Sequence, residues 1–288
     1  MLFARNAPTF VVYVFTINMK HITFFLYSLF FLHFAQAQTG LTVGPPRLYF
    51  TANSGQNQSE LLEVTNPSKD YTLELSVSFQ DWEYSEYGDN VLAQAGTLSN
   101  SCAEWISVSE PFFMLNPGET KQLTVNLQVP SAFVYTDATP VHTAMLFVTQ
   151  LNPKEGQDRD GANIRVAVRS GVKVYHRFPD RNNPDLEIQN LRYLPQDSTS
   201  SFLEASFEAT GNVWLEGEIT VELLNQDSGD KIRLEKQNFF CLPHDKRKHY
   251  IALPKDLQAG EYLASVVMSY GDNNRIKIGE LIFKHEND

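Results

Sequence analysis

Apolar and polar residues alternate with a period of two along most of the chain beyond residue 40. Leu62 and Val64 alternate within Glu60–Thr65, which stops at the turn pair Asn66-Pro67. Leu73, Leu75, Val77 and Phe79 alternate with Glu74, Ser76 and Ser78, and after Pro117-Gly118 come Leu123, Val125, Leu127 and Val129. Successive side chains of a strand point to opposite faces, so the pattern predicts strands with one buried face. Ala144–Leu151 reads as a further apolar strand and Ile164–Tyr175 as one long strand. The polar segment Asn152–Asn163 between them predicts an exposed hairpin loop. Phe178–Pro184 carries two prolines and marks the boundary between two halves. Beyond it the alternation restarts at Leu203–Ala209, Ile219–Leu223 and Tyr262–Tyr270, with turns at Gly211-Asn212, Asp227–Asp230 and Gly271-Asp272. No long window carries a convincing 3.6-residue period. The predicted fold class is therefore all-β, with two tandem immunoglobulin-like β-sandwich domains, residues 38–179 and 180–288.

Ahead of the first strand stand Lys20, the apolar run Ile22–Phe34 and Ala35-Gln36-Ala37. A basic residue, a short apolar stretch and an A-x-A site have the form of a secretory signal peptide cut after Ala37, and so predict an exported protein. The run is short for a bilayer span. Met19-Lys20 opens a signal of ordinary length, which makes Met19 an alternative start and leaves the role of residues 1–18 open. No cysteine stands immediately after the cut, which argues against a lipid anchor there.

Length and composition change the picture little: 288 residues, 42% hydrophobic and 20% charged, suit two globular domains. Charge excludes more. Arg5 and Lys20 are the bases before Ala37, and no acid precedes it. Removing those two from 23 bases against 34 acids leaves a net charge of −13. Such a surface does not bind nucleic acid or anionic lipid through bulk charge. Cys102 and Cys241 are the only cysteines, too few for a disulfide framework. Two small buried thiols are the reading taken, and a single bridge between the halves is the alternative.

Candidate chemistry is sparse. The seven histidines form no metal-ligand spacing, neither cysteine sits in a C-x-x-C pair, and there is no G-x-S-x-G elbow or P-loop. No cofactor and no metal are expected, and an enzyme is not the class favoured. His244 and His249 beside Asp245 read as a charged, solvated loop. Asp81-Trp82-Glu83-Tyr84 reads as a strand edge burying its aromatics rather than a sugar site. Asn57-Gln58-Ser59 matches a glycosylation sequon, a short pattern of little weight.

One ordered set of segments stands apart. Gly44-Pro45-Pro46-Arg47-Leu48-Tyr49-Phe50 is followed by a strand ending Val64-Thr65-Asn66-Pro67. Then come Phe112–Glu119, with its Pro117-Gly118 turn, Ile164-Arg165-Val166-Ala167-Val168, and Gly171-Val172-Lys173-Val174-Tyr175-His176-Arg177. In that order, residues 41–177 resemble the amino-terminal domain of the PapD-like periplasmic chaperones of pilus and fimbria assembly. The second half resembles that family only in general shape. The run His176-Arg177-Phe178-Pro179 and the long stretch Trp82–Glu110 depart from its pattern.

The resemblance implies a periplasmic chaperone that binds unfinished, pilin-like subunits by donating a β-strand, without covalent chemistry. It implies that Arg47 and Lys173 anchor the subunit's terminal carboxylate, and that Ile164, Val166 and Val168 are the apolar residues lent to the subunit. An outer-membrane usher and self-association through the donated strand are further partners it implies. The competing reading is a structural or adhesive cell-surface protein whose sandwich is closed at both edges, with Arg47 far from Lys173.

Overall fold

The structure is a computed structural model that describes residues 40–157, 162–197 and 200–286. The signal-peptide segment and its cut after Ala37 lie outside the described residues. The first half contributes β1 (Thr42–Gly44), β2 (Arg47–Thr51), β3 (Asn57–Thr65), β4 (Leu73–Tyr84), β5 (Asn90–Ala93), β6 (Ile106–Val108), β7 (Phe112–Leu115), β8 (Thr120–Gln128), β9 (Val141–Gln150), β10 (Lys154–Gln157), β11 (Asn163–Val166) and β12 (Arg169–Arg177). The second contributes β13 (Leu186–Asp197), β14 (Ser200–Ala209), β15 (Leu215–Asn225), β16 (Lys231–Arg233), β17 (Gln237–Cys241), β18 (Lys246–Ala252), β19 (Gly260–Tyr270) and β20 (Arg275–His285). A single helical turn, Ala103–Trp105, interrupts the strands among the described residues.

In the first sandwich, the sheet β1-β3-β8-β6 faces the sheet β2-β12-β9-β4-β5, to which β7 adds on β4. The alternation seen in the sequence is the reason they face each other. Leu62 and Val64 of β3 and Leu123, Val125 and Leu127 of β8 are buried against Leu75, Leu146, Val148, Val172 and Val174 of the other sheet. Each such side chain contributes about 1.5–3 kcal/mol by leaving water. The second sandwich pairs β13-β14-β18 with β16-β15-β19-β20, and β17 joins β15. Its core holds Leu203, Ala205 and Phe207 of β14, Ile219, Val221 and Leu223 of β15, and Tyr262, Ala264, Val266 and Met268 of β19. The fold is all-β, two sandwiches in tandem.

Two local expectations are corrected. The segment expected as one strand from Ile164 to Tyr175 is broken at Ala167-Val168 into β11 and β12. The segment expected as a loop contains β10, which pairs antiparallel with β11, placing Gly156 opposite Ile164 and Glu155 opposite Arg165. The break has a register cause. In an unbroken strand Ile164, Val166 and Val168 would share the face of Val172 and Val174, which is the core face. Interrupting the strand releases Ile164 and Val166 to the surface, 39% and 50% exposed.

Cys102 and Cys241 are both buried and free, so the two-thiol reading holds and the bridge between the halves does not form. The stretch expected as a solvated loop around His244 and His249 also differs. Lys246–Ala252 is strand β18, paired with β14, and it buries Arg247.

Candidate functional site

Strand β2 pairs with β12 in parallel, and the register sets Arg47 directly beside Lys173 and Tyr49 beside Tyr175. Alternation explains the orientation. Leu48 and Phe50 of β2, and Val172 and Val174 of β12, enter the core. Arg47, Tyr49, Lys173 and Tyr175 therefore project from the opposite face, towards the second sandwich. The two cations selected in the sequence are neighbours at the cleft between the sandwiches.

Lys173 is held by aromatic groups. Its Nζ donates to the Tyr84 hydroxyl at 2.8 Å and lies 4.1 Å from the Trp82 ring centre and 4.2 Å from that of Tyr84. Trp82 is in turn fixed by its indole N–H, which donates to the Ala144 carbonyl at 3.0 Å. Burial, then the positive charges of Arg47 and Arg247, pull the Lys173 ammonium down to about 8, with Glu216 opposing in part. No carboxylate ion-pairs with Lys173 among the described residues.

Arg47 reaches across the cleft. Its guanidinium lies 4.4 Å from the centre of the Phe240 ring, and its Nε is 3.8 Å from Glu216 Oε1. That Nε is buried and has no hydrogen-bond partner among the described residues. Glu216 also accepts a hydrogen bond from the Tyr49 hydroxyl. Arg247 sits behind, 6% exposed, donating to the Phe240 carbonyl at 2.9 Å and lying 5.0 Å from the centre of the Tyr84 ring. Three cations thus face the Tyr84 and Phe240 rings, with Glu216 the only carboxylate that ion-pairs with any of them among the described residues. Partly desolvated positive charge in that excess favours an anion.

Beside the two cations opens a cavity of about 470 Å³, lined by Pro46, Arg47, Asn90, Leu92, Met145, Phe147, Gly171 and Lys173. Gly171 keeps its floor open, since a Cβ there would meet Phe147 and Met145 at 3.1 and 3.2 Å. The Arg169 guanidinium covers Phe147, 3.5 Å from the ring centre, and donates to Gln80 at 3.1 Å.

The edge of β12 carries the second part of the site. Strand β2 covers it only from Lys173 onward, where the Lys173 N–H donates to the Pro46 carbonyl at 3.1 Å. No strand pairs with that edge at Arg169–Val172 among the described residues, and β11 pairs only with β10. Among the described residues an edge with no strand paired to it therefore runs along Ile164–Val166 of the β10–β11 ribbon, resumes after the break at Arg169–Val172, and ends at Arg47. Ile164 and Val166 stand on β11, on the ribbon face opposite the Arg165–Glu155 pair at 2.8 Å. Val168 stands at the break, half-buried. Its N–H donates to Gln150 Oε1 at 3.3 Å and its carbonyl accepts from the Gln150 N–H at 2.9 Å.

The sandwiches touch through residues that the sequence reading missed. Trp214 stacks on Tyr49 at 5.3 Å and tilts against Tyr175 at 5.1 Å. Leu242 joins Trp82, Met145, Phe147 and Tyr175 in a small apolar cluster. At the tip of the β4–β5 hairpin, Glu86 pairs with Lys248 at 2.7 Å and Tyr87 stacks on Tyr250 at 6.0 Å. In Asp81-Trp82-Glu83-Tyr84, Trp82 is buried and Tyr84 half-buried. Buried Asp81 accepts from the N–H groups of Thr97 and Leu98 at 2.8 and 2.9 Å. Among the described residues no group of His, Cys, Asp and Glu side chains could hold a metal ion.

No protein-family model matches the chain, and no curated protein matches it. Several solved structures do. The CupB2 chaperone of Pseudomonas aeruginosa is 12% identical, with a TM-score of 0.42 over 83% of this chain and 98% of that one. A chain of the Salmonella enterica SafA pilin–SafB chaperone complex is 13% identical, with a TM-score of 0.42 over 87% of this chain and 99% of its own. A protein of unknown function from Porphyromonas gingivalis is 13% identical, with a TM-score of 0.30 over 85% of this chain and 99% of that one.

Proposed function

We propose that the protein is an export-compartment chaperone, working in the periplasm, that donates the strand edge of β11 and the start of β12 to an incomplete surface-fibre subunit, whose own terminal strand pairs along it. Residues 1–37 act as its signal peptide, and residues 38–179 form the domain that carries the site. The observation that carries the reading is the coincidence of two features at one point. An unpaired strand edge runs up to Arg47, and Arg47 is the register partner of Lys173. A strand laid on that edge satisfies its own N–H and C=O groups against β11 and β12. If it runs parallel to β12, its terminal carboxylate arrives at the guanidinium and the ammonium. Charge-assisted hydrogen bonds there fix where the bound strand ends.

Ile164 and Val166 supply apolar side chains to the recipient's open groove, and Val168 follows at the strand break. Both of the first two are exposed in the free protein, as a donated side chain has to be. The same edge is open to a second copy of the chain. No covalent step is involved, and burial of the recipient's groove drives binding. What favours this over a structural or adhesive role is the proximity of Arg47 to Lys173 and the absence of a covering strand among the described residues.

The test is binding of a short peptide of alternating valine and threonine, supplied with a free or an amidated carboxyl end. The free acid should bind the tighter, and Arg47→Ala or Lys173→Ala should each weaken it roughly 10-fold or more, as loss of a charge-assisted hydrogen bond does. Equal binding of acid and amide to all three proteins overturns the anchor.

A further inference from the structure

Glu216 leaves the start of β15 in the second sandwich and ends at the anion site of the first. Its carboxylate accepts from the Tyr49 hydroxyl and faces the Arg47 Nε at 3.8 Å. That Nε has no hydrogen-bond partner among the described residues. The two side chains are 28% and 43% exposed; the Nε itself is buried, and an anion would reach Arg47 from the cavity it lines with Lys173. The contact is long for a charge-assisted hydrogen bond, which runs about 2.7–2.9 Å. The Arg47 Nε is therefore faced by a negative charge without a hydrogen bond, although the guanidinium also engages the Tyr175 hydroxyl.

We propose that Glu216 is an affinity-setting residue of this site: an internal carboxylate, supplied by the second sandwich, that competes with an incoming strand's terminal carboxylate for Arg47. The inference rests on the carboxylate-anchor reading. Glu216 engages one of the two adjacent cations, together with a neutral hydroxyl. A terminal carboxylate seated beside Lys173 engages both. The internal group is the weaker ligand of the two and yields to a free strand end. An amide, having no charge, has nothing to gain by displacing it. Glu216 thereby tempers the hold on a true chain terminus and leaves the binding of an internal segment of a strand unchanged.

Glu216→Gln removes the competing charge while keeping an acceptor for Tyr49. It should tighten binding of the free-acid valine–threonine peptide roughly two- to fivefold, the worth of a part-exposed ion pair, and leave the amidated peptide unchanged. Glu216→Asp, which keeps the charge but shortens the reach, should give part of the same gain. The gain should vanish in the Arg47→Gln background. Thermal melting of each variant separates a binding effect from loss of fold. Unchanged or weaker binding of the free acid by a folded Glu216→Gln protein overturns the inference while leaving the anchor standing. Failure of Arg47→Gln alone to weaken the free acid overturns the anchor reading, and this inference with it.

Discussion

His142 and His176 face each other across β9 and β12 with their Nδ1 atoms 3.3 Å apart, both buried. The Ala52 carbonyl accepts from His176 Nε2 at 2.9 Å, so a neutral His176 carries its proton on Nε2 and offers Nδ1 as an acceptor. His142 then donates from Nδ1, which leaves its Nε2 bare, buried and without a partner among the described residues. Trp105, Phe133 and Phe178 surround the pair. Burial first, then the neighbouring imidazole, lowers His142 to about 3, and burial lowers His176.

An acid-sensitive first sandwich follows. The unfolded chain binds the histidine proton near pH 6.5, whereas folded His142 resists it down to about 3. The stability that neutral His142 contributes is whole above about 6.5 and drains as pH falls towards 3, by about 1.4 kcal/mol per pH unit for one proton. Denaturant titrations between pH 4 and 7 should show that slope, and His142→Phe should flatten it. An unchanged slope in His142→Phe refutes the assignment.

Lys173 gives the cleft its own pH dependence. Its ammonium loses a proton near pH 8, so a terminal carboxylate meets a charged Lys173 below that value and a neutral one above it. Binding of the free-acid peptide should weaken as pH rises from about 7 to 9, with proton uptake on binding detectable by calorimetry in buffers of different ionisation heat. Lys173→Met should bind more weakly at neutral pH and show no such pH dependence. A pH-independent affinity in the unmodified protein speaks against charge at this position.

Ile164 and Val166 separate a packing role from a recognition role. Both are exposed, so Ile164→Ser and Val166→Ser should shift stability by no more than about 0.5 kcal/mol. The same changes should weaken capture of a strand-deficient subunit. A loss of about 2 kcal/mol or more in unfolding free energy would make them core residues instead.

Gly217 tests the second sandwich independently. A Cβ there would lie 2.4 Å from the Ser269 carbonyl oxygen and 2.6 Å from the Phe239 ring. Neither the paired backbone of β19 nor a buried ring gives way easily, so Gly217→Ala should cost roughly 1–3 kcal/mol. Chemical denaturation followed by tryptophan fluorescence measures it. A neutral effect means that β15 shifts freely in its sheet.

The core strands were legible because burial on one face writes itself into the chain as a period of two. Leu123, Val125 and Leu127 announced β8 in that way, and Tyr262 to Met268 announced β19. Arg47 and Lys173 were found through the resemblance, and parallel pairing of β2 with β12 explains why residues so distant in sequence become neighbours. The face of Ile164, Val166 and Val168 was not legible. Counted as one strand they belong to the core, and only the interruption at Ala167-Val168 turns the first two outward. Glu216, Arg247 and Trp214 left no signal either. The Tyr49–Glu216 bond joins residues 167 positions apart, a contact created by the docking of one sandwich on the other. Arg247 sat in a run of charges whose composition reads as a solvated turn, yet the pairing of β18 with β14 carries it inside.

Strand β2 does more than close part of an edge. Because it begins beside Lys173, a guest bound along the exposed stretch, as proposed above, would abut the chain's own backbone there. On that reading alignment is imposed from one end by a barrier, while Ile164 and Val166 add affinity along the guest's length. Under that proposal, strands of unlike composition would share a single frame, each measured from the same terminus.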